Sequence, residues 1–476
     1  MAKKKHIHFI GVGGSAIASI AIAFSKAGYK VTGSEAGPVY PPMSGLLQKN
    51  KIDYYFPFDK NKVGSPDEIV IGNAHYSDTN PEVVYARENK IELEHFPRLL
   101  EKYLIKKNSI VVAGTYAKTT MTSMLTFLLT EADKDPSFMI GGSPVNFESG
   151  ARLNNNSWSV VEGDEYTSAS PWDFSPKFDF YHPKYLLLSS AEWDHYDIYK
   201  TKKSYVDTFK KLVKNMPSDG LIVAKLEGKN IFEVLEEAKC RIVFYSTSSE
   251  KKIKIPEEFQ NSKLYFLSSE EIDKAQINFS VSVGQEIDFY KSKTLGDLNV
   301  ENWCGVIAMA REIKIKKEAV QDAVQKFGGV KRRLEVRSKK NNVIIIDDFA
   351  HNPSKARGAV QGVRKHFLDS KLLVIFEPNR GGRSKKCLAK YSDVFDEADI
   401  VLIPELHEYK KKKGVVDIDG QQLADQIKKT NKQSFYMPDW NKMKKKILFE
   451  MKSGGVVLFM GPSNFDKLIR DLKKDI

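Results

Sequence analysis

Cysteine is scarce. The 476 residues hold three, Cys240, Cys304 and Cys387, far apart and without metal-ligand spacing. That excludes a disulfide scaffold or a cysteine-built metal site and fits a reducing compartment. Long hydrophobic runs are missing too: nothing approaches the ~20 apolar residues that a bilayer-crossing helix needs, so no membrane insertion is expected. Lys3-Lys4-Lys5 leads straight into a strand-like His6-Ile7-His8-Phe9-Ile10, without a long apolar segment and cleavage site. No signal peptide is therefore expected, and the expected setting is cytoplasmic. There is no internal repeat, heptad or low-complexity tract. Acidic residues are in the minority, 61 Asp and Glu against 74 Lys and Arg, for a formal charge of +13. Such an excess raises the question of nucleic acid, but apart from Lys410 to Lys413 the lysines are scattered. A solvated lysine-rich surface is the simpler reading, a polyanionic small substrate comes second, and no nucleic-acid partner is expected.

With 41% hydrophobic and 28% charged residues the composition is that of a globular protein, and the length suits about three domains of roughly 150 residues. The most informative stretch runs from Ser109 to Thr120, an apolar strand that breaks into a tight loop and continues as a helix over Met121 to Leu129. It reads as a phosphate-binding loop: backbone N–H groups and the helix N-terminus cradle an anion, Lys118 neutralises it, and Thr119 or Thr120 ligates Mg²⁺. The general spacing G-x-x-x-x-G-K-[ST] asks for glycine where Val112 and Ala117 stand. On the plain alternative this is a buried strand-turn-helix with a surface lysine, and the segment alone leaves the two level.

A second glycine-rich turn, Gly11-Val12-Gly13-Gly14-Ser15, follows the first strand, and Glu35 follows the second strand, Tyr29 to Thr32. This is the layout of a dinucleotide fingerprint, so a nicotinamide-dependent oxidoreductase is one hypothesis. A lone fingerprint is weak, because the same turn holds any pyrophosphate. Further strands, Trp158 to Glu162 and Tyr185 to Ser190, deliver Gly163-Asp164-Glu165-Tyr166 and Ala191 to Asp197 at their carboxyl ends, where ligands sit in open α/β sheets. Carboxylates and His195 beside a phosphate loop suit a Mg²⁺-nucleotide site, and three such strand ends weigh against mere acidic surface turns. Asp219 to Phe289 shows mixed elements and no chemistry. Gly328-Gly329 marks a boundary, after which strands over Val343 to Ile346, Lys371 to Phe376, Ile400 to Ile403 and Val456 to Met460 describe a doubly wound α/β sheet.

Together these motifs resemble the Mur ligase family of ATP-dependent amide-forming enzymes over nearly the whole chain and in the right order. Its G-T-x-G-K-T-T loop corresponds to Gly114 to Thr120, E-x-D-E-Y to Glu162 to Tyr166, and D-H-x-D to Asp194 to Asp197. R-R-x-E is Arg332 to Glu335, and D-D-x-A-H-x-P is Asp347 to Pro353. Within the family, Val39 to Ser44, Ile71 to Ala74 and Gly141 to Phe147 look most like the murein peptide ligase branch; the alanine-adding branch is the near neighbour.

The resemblance implies a three-domain α/β architecture: a Rossmann-like UDP-sugar domain (1–107), a central P-loop ATPase domain (108–327), and a C-terminal doubly wound domain (328–476) that closes over ATP and binds the amine. It implies ATP and Mg²⁺ as cofactors and UDP-N-acetylmuramate and a peptide or amino-acid amine as partners, with a monomer or weak dimer expected. Gly114, Thr115, Ala117, Lys118, Thr119 and Thr120 are implied to cradle the phosphates, and Thr119, Glu165 and His195 to hold metal. Asn299 is implied for adenine, Arg333 for phosphate and Asp348 for ribose. Gly11, Gly13, Gly14, Ser15, Glu35 and Asn73 would bind the UDP-sugar, with the turn recast as a holder of the UDP pyrophosphate. Arg380, with Arg383, Lys385 and Lys386 nearby, would face the carboxylates of a peptide amine, and His351 is placed with the catalytic residues Lys118, Glu165 and His195. Two residues depart from the pattern: Ala117 replaces a glycine, and Leu298 replaces the histidine before Asn299. If the position of Ala117 is left-handed, the alanine costs roughly 1–2 kcal/mol. A binding protein that keeps UDP-muramoyl affinity without turnover is the rival reading.

Overall fold

A computed structural model describes residues 5–40, 43–73, 77–195, 198–247, 255–273, 276–379, 381–406, 418–463 and 465–476. Pro41, Pro42, Ala74, Tyr196, Asp197, Arg380 and the Lys410–Lys413 run lie outside the described residues, as do the side chains of Lys385 and Lys386. The chain divides into two compact units. One comprises 1–270, 279–291 and 301–328, the other 271–278, 292–300 and 329–476.

In the first unit, β1 (His6–Ile10), β2 (Lys30–Ser34), β3 (Asp53–Tyr55), β4 (Glu68–Ile71) and β5 (Glu92–His95) form a parallel sheet in the order β3-β2-β1-β4-β5. β1 and β4 are buried throughout, as expected of strands covered on both faces. Strand order reverses at β1, so the glycine-rich turn that follows it lies at a topological switch point. Beneath that turn sits a buried polar knot. Glu82, inaccessible to solvent, accepts hydrogen bonds from Ser34 Oγ, from Tyr55 OH at 2.8 Å and from Asp59 N–H at 2.9 Å, and lies 3.4 Å from His8 Nε2. Burial alone pushes the Glu82 carboxyl up, but these donors bring it below the usual carboxylate range.

The second sheet of this unit is built on β6 (Asn108–Ala113), β7 (Ser137–Met139), β8 (Ala151–Arg152), β9 (Trp158–Glu162), β12 (Tyr185–Leu188), β13 (Leu221–Lys225) and β14 (Arg241–Ser246); β10 (Thr167–Ala169) and β11 (Asp173–Pro176) form a separate hairpin. With β15 (Lys263–Asp273), β16 (Gln276–Val283) and β17 (Glu286–Ser292) it is a ten-stranded sheet in the order β17-β16-β15-β14-β13-β12-β6-β9-β7-β8. β6 pairs in parallel with both β12 and β9, which brings three carboxyl ends side by side at the phosphate loop.

The second unit holds β18 (Glu335–Lys340), β19 (Val343–Asp348), β20 (Leu372–Phe376), β21 (Ile400–Ile403), β22 (Ser434–Tyr436) and β23 (Gly455–Met460), in the order β18-β19-β23-β20-β21-β22, with β18 antiparallel at one edge. Its two faces carry separate apolar clusters, so the sheet is covered on both sides. Residues 292–300 group with this unit and not with the sequence that precedes them. The physical reason is local: Gly296 N–H donates to His366 Nε2 at 2.8 Å, and Asp297 pairs with Lys365.

Candidate nucleotide and sugar site

The chain leaves β6 through Gly114 and enters the helix Lys118–Glu131. Gly114 has φ +124°, and a Cβ there would lie 2.3 Å from Ser189 Oγ and 2.8 Å from Ser190 N, so only glycine fits. Ala117, the residue before the helix, is left-handed at φ 63°, ψ −1°. The expected strain is present. It presents the first-turn N–H groups of Lys118, Thr119 and Thr120, which have no partner within the helix and point out of its N-terminus.

The Lys118 ammonium donates to Glu165 at 2.9 and 3.1 Å and to the Gly114 carbonyl at 2.6 Å. Burial pulls its pKa down, but the Glu165 carboxylate more than reverses this, and the net shift is upward. Glu165 is 1% exposed. Burial raises its pKa, while His195 Nε2 at 3.3 Å and Lys118 lower it further, to a net downward shift. The bond to Glu165 correspondingly raises the His195 pKa against the effect of burial. Two tyrosines complete the setting: Tyr199 OH donates to the Glu165 carbonyl at 2.6 Å, and Tyr205 OH lies 3.2 Å from Glu165 Oε1.

Thr119 does not face Glu165. Its hydroxyl donates to Glu162 Oε1 at 2.9 Å, and Glu162 Oε2 accepts the Gly141 N–H at 2.7 Å. Burial pushes the Glu162 carboxyl up in spite of Lys118 and these donors. The expected trio Thr119, Glu165 and His195 is thus divided: Glu165 and His195 meet, and Thr119 joins Glu162. Glu162 was overlooked as a site residue, although its position at the end of β9, beside the loop strand, is a readable signal. Among the described residues no group of three or more His, Cys, Asp and Glu side chains gathers around one point. The all-oxygen set of Thr119 and Glu162 still fits Mg²⁺, which takes one or two protein ligands and completes its shell with water and phosphate.

At the glycine-rich turn after β1, Gly11 and Val12 N–H donate to the Ser34 carbonyl, Gly14 N–H to the Gly11 carbonyl, and Gly13 N–H to Glu35 Oε2 at 2.9 Å. The turn's own donors are therefore spent. The N–H groups left for an anion are those of Ser15, Ala16 and Ile17, at the start of the helix Ser15–Lys26. Asn73 is engaged differently from the expectation. Its Oδ1 accepts the Ser170 N–H at 2.9 Å and its Nδ2 lies 3.5 Å from Thr167 Oγ1, so it fastens the β10–β11 hairpin to the first sheet.

In the second unit, Arg333 is exposed and stands between two left-handed residues, Arg332 (φ 58°) and Leu334 (φ 48°). Asp348, implied for ribose, has both oxygens engaged at 2.7 Å, by the N–H groups of Leu334 and Ala350, and so fixes the Arg333 turn. Asn299 Nδ2 donates to the Leu295 carbonyl at 2.7 Å, and Leu298 is exposed. His351 Nδ1 lies 2.7 Å from the Phe349 carbonyl, which fixes that nitrogen as the donor and leaves Nε2 a lone pair; burial lowers the His351 pKa. Arg383 does not behave as a carboxylate clamp. It is 4% exposed, and its guanidinium donates to Glu377 at 2.7 Å and to the Pro378 carbonyl at 3.1 Å.

Comparison with known proteins agrees with this geometry. Residues 6–107 match the Mur ligase family catalytic domain, 112–310 the Mur ligase middle domain, and 332–462 the Mur ligase glutamate ligase domain. A UDP-N-acetylmuramate–L-alanine ligase from Geotalea uraniireducens is 28% identical over 487 aligned positions, covering 100% of this chain and 99% of that one. The crystal structure of a UDP-N-acetylmuramate-alanine ligase from Thermotoga maritima superposes with a TM-score of 0.76 at 24% identity over 99% of both chains. A murein peptide ligase from Psychrobacter arcticus gives 0.67 at 25% identity over 99% of this chain and 98% of that one. Three consecutive domain matches, with a phosphate loop and its acidic strand ends in place, establish that the chain belongs to the Mur ligase family, whose members are ATP-dependent amide-bond-forming ligases.

Proposed function

We propose that the chain joins the carboxylate of UDP-N-acetylmuramate to the amine of the peptide L-alanyl-γ-D-glutamyl-meso-diaminopimelate. The observation that supports a phosphoryl-transfer ligase best is the division of carboxylates at the carboxyl end of β9: Glu162, its last residue, beside Thr119, and Glu165, three residues on, beside Lys118. A carboxylate resists amine attack until one of its oxygens becomes a leaving group. Its oxygen attacks the γ-phosphorus, ADP departs, and an acyl phosphate results. The amine nitrogen then attacks the acyl carbon through a tetrahedral oxyanion, phosphate leaves, and one proton is released. Lys118 holds the β/γ charge. Mg²⁺ held by Thr119 and Glu162, with Glu165 and His195 behind them, would supply charge neutralisation on the phosphate oxygens. In the second unit the reading gives Asn299 to adenine and Arg333 to phosphate, with Asp348 holding the Arg333 turn. His351 Nε2, left a lone pair by the bond of Nδ1 to the Phe349 carbonyl, takes the amine proton. For the sugar, Glu35 and the N–H groups from Ser15 onward bind the UDP moiety, the pyrophosphate over the first helical turn.

L-Alanine is the second reading of the amine. It is favoured by the burial of Arg383, which removes one cation from the peptide-carboxylate argument, and by the alanine-adding activity for which the Geotalea relative is named. Phosphate release from ATP and UDP-N-acetylmuramate, with the tripeptide and L-alanine as competing amines, decides between them. No release with either amine sinks the ligase reading and leaves the UDP-muramoyl-binding rival.

A further inference from the structure

Hydrogen counting around Glu165 singles out a residue that the motifs do not contain. Tyr205 lies on the helix Lys202–Lys214, is inaccessible to solvent, and packs its ring against Tyr199 at 5.0 Å and Phe209 at 5.2 Å. Its hydroxyl stands 3.2 Å from Glu165 Oε1 and 3.2 Å from Thr115 Oγ1 of the phosphate loop. Thr115 spends its own hydrogen on the Glu192 carbonyl at 2.7 Å, and the Glu165 carboxylate has none to give. The single Tyr205 hydrogen is therefore shared between two acceptors at long distance, while Lys118 supplies both Glu165 oxygens at 2.9 and 3.1 Å and His195 Nε2 lies 3.3 Å from Oε1.

To reach a nucleotide phosphate, the Lys118 ammonium must leave Glu165, a step that removes the donor in contact with both oxygens of a buried carboxylate and leaves it the longer contact to His195. Leaving such a group under-satisfied is costly. We propose that Tyr205 is a positioning residue for nucleotide binding: its hydroxyl turns fully onto Glu165 as Lys118 departs, and so lets the lysine move between carboxylate and phosphate. Thr115 Oγ1 keeps its bond to Glu192 throughout and merely loses a shared donor. The inference rests on the reading of Lys118 as the phosphate-neutralising lysine. It adds a residue whose hydroxyl contacts Thr115 and Glu165 in its resting position, not Thr119 or Glu162, the pair read as holding Mg²⁺.

Tyr205→Phe keeps the ring and removes only the oxygen. Calorimetric titration with ATP in the presence of EDTA, steady-state kinetics and thermal melting are measured on wild type, Tyr205→Phe and Tyr199→Phe. Tyr199 is an equally aromatic neighbour whose hydroxyl bonds the Glu165 backbone carbonyl and not its carboxylate. For Tyr205→Phe the expected result is ATP affinity weakened about tenfold, the worth of one charge-assisted hydrogen bond, with KM for ATP raised in step. KM for UDP-N-acetylmuramate should stay within twofold. Tyr199→Phe should lower the melting temperature while leaving ATP affinity in place. Equal ATP affinity in wild type and Tyr205→Phe overturns the inference and leaves the lysine reading standing. Parallel loss of affinity for ATP and UDP-sugar, or the same ATP loss in Tyr199→Phe, also overturns it, because a general loosening of the core would then be the cause. Wild type that binds no ATP overturns both the inference and the reading beneath it.

Discussion

The two strand-turn-helix motifs of the first unit look alike in sequence and differ in what they leave unpaired. After β1, the N–H groups of the turn Gly11 to Gly14 are consumed by Ser34, Gly11 and the carboxylate of Glu35, and the turn itself contains no lysine. After β6, the loop keeps its helix-end N–H groups, as the β1 turn does, but it also carries a lysine and faces two glutamates, Glu162 half-buried and Glu165 buried. A carboxylate seated on backbone donors repels a phosphate at that spot and accepts hydroxyl groups; a lysine-bearing loop attracts the most highly charged end of a nucleotide. Glycine pattern alone therefore does not name the ligand. The charge placed beside the turn does.

The sharpest way to break the contrast is Lys118→Met. It should cut kcat for ATP-dependent phosphate release about a thousandfold or more, equivalent to roughly 4 kcal/mol, with UDP-sugar binding by calorimetry unchanged. Joint loss of both affinities would erase the division of labour between the turns.

Next in size is the support under the first turn. Glu82 has its pKa lowered in the folded state, so the unfolded chain binds the extra proton as pH falls. The stability it contributes is fully present above the ordinary glutamate pKa of about 4.5 and is lost as pH drops through that value toward the folded one. Glu82→Gln should cost about 2 kcal/mol at neutral pH and flatten the acid limb of a denaturation profile; an unaltered acid limb would show that the knot of His8, Ser34 and Tyr55 does not depend on its charge.

Glu35→Ala should raise KM for UDP-N-acetylmuramate about tenfold and leave KM for ATP alone, consistent with the loss of one charged acceptor. An improved KM would instead mean that the carboxylate mainly repels the pyrophosphate. Smallest is Ala117→Gly, which relieves the left-handed strain: kcat/KM for ATP should rise by up to about fivefold, with stability changed by less than about 1 kcal/mol because glycine loosens the unfolded chain in return. A fall in kcat/KM would show that the alanine methyl is tolerated for a reason of its own.

Much of this was readable in the linear chain. The strands Glu68–Ile71, Trp158–Glu162 and Ile400–Ile403 fall where the sequence places them, because parallel strands covered on both faces are dominated by apolar residues such as Ile69 to Ile71, Val160 and Val161. The loop helix extends beyond its expected span, beginning at Lys118 and running to Glu131, since the polar residues at its ends carry no hydrophobic signal. The meander β15–β17 fell in a stretch where no chemistry was read, and the structure places it at one end of the ten-stranded sheet.

What the sequence by itself determined is the order of domains, the identity of the loop lysine and the set of acidic residues near it, because each is carried by contiguous residues whose spacing is local. Tertiary structure decided which acid serves which partner. Glu162 and Glu165 are three residues apart, yet one ends a strand facing Thr119 and the other lies past the strand end, facing Lys118, Tyr205 and His195. Asp348, Asn73 and Arg383 likewise carry plausible ligand-binding chemistry in sequence, and the fold engages all three in holding backbone or neighbouring side chains. Pairing between residues tens of positions apart is set by strand order and burial, which no local pattern encodes.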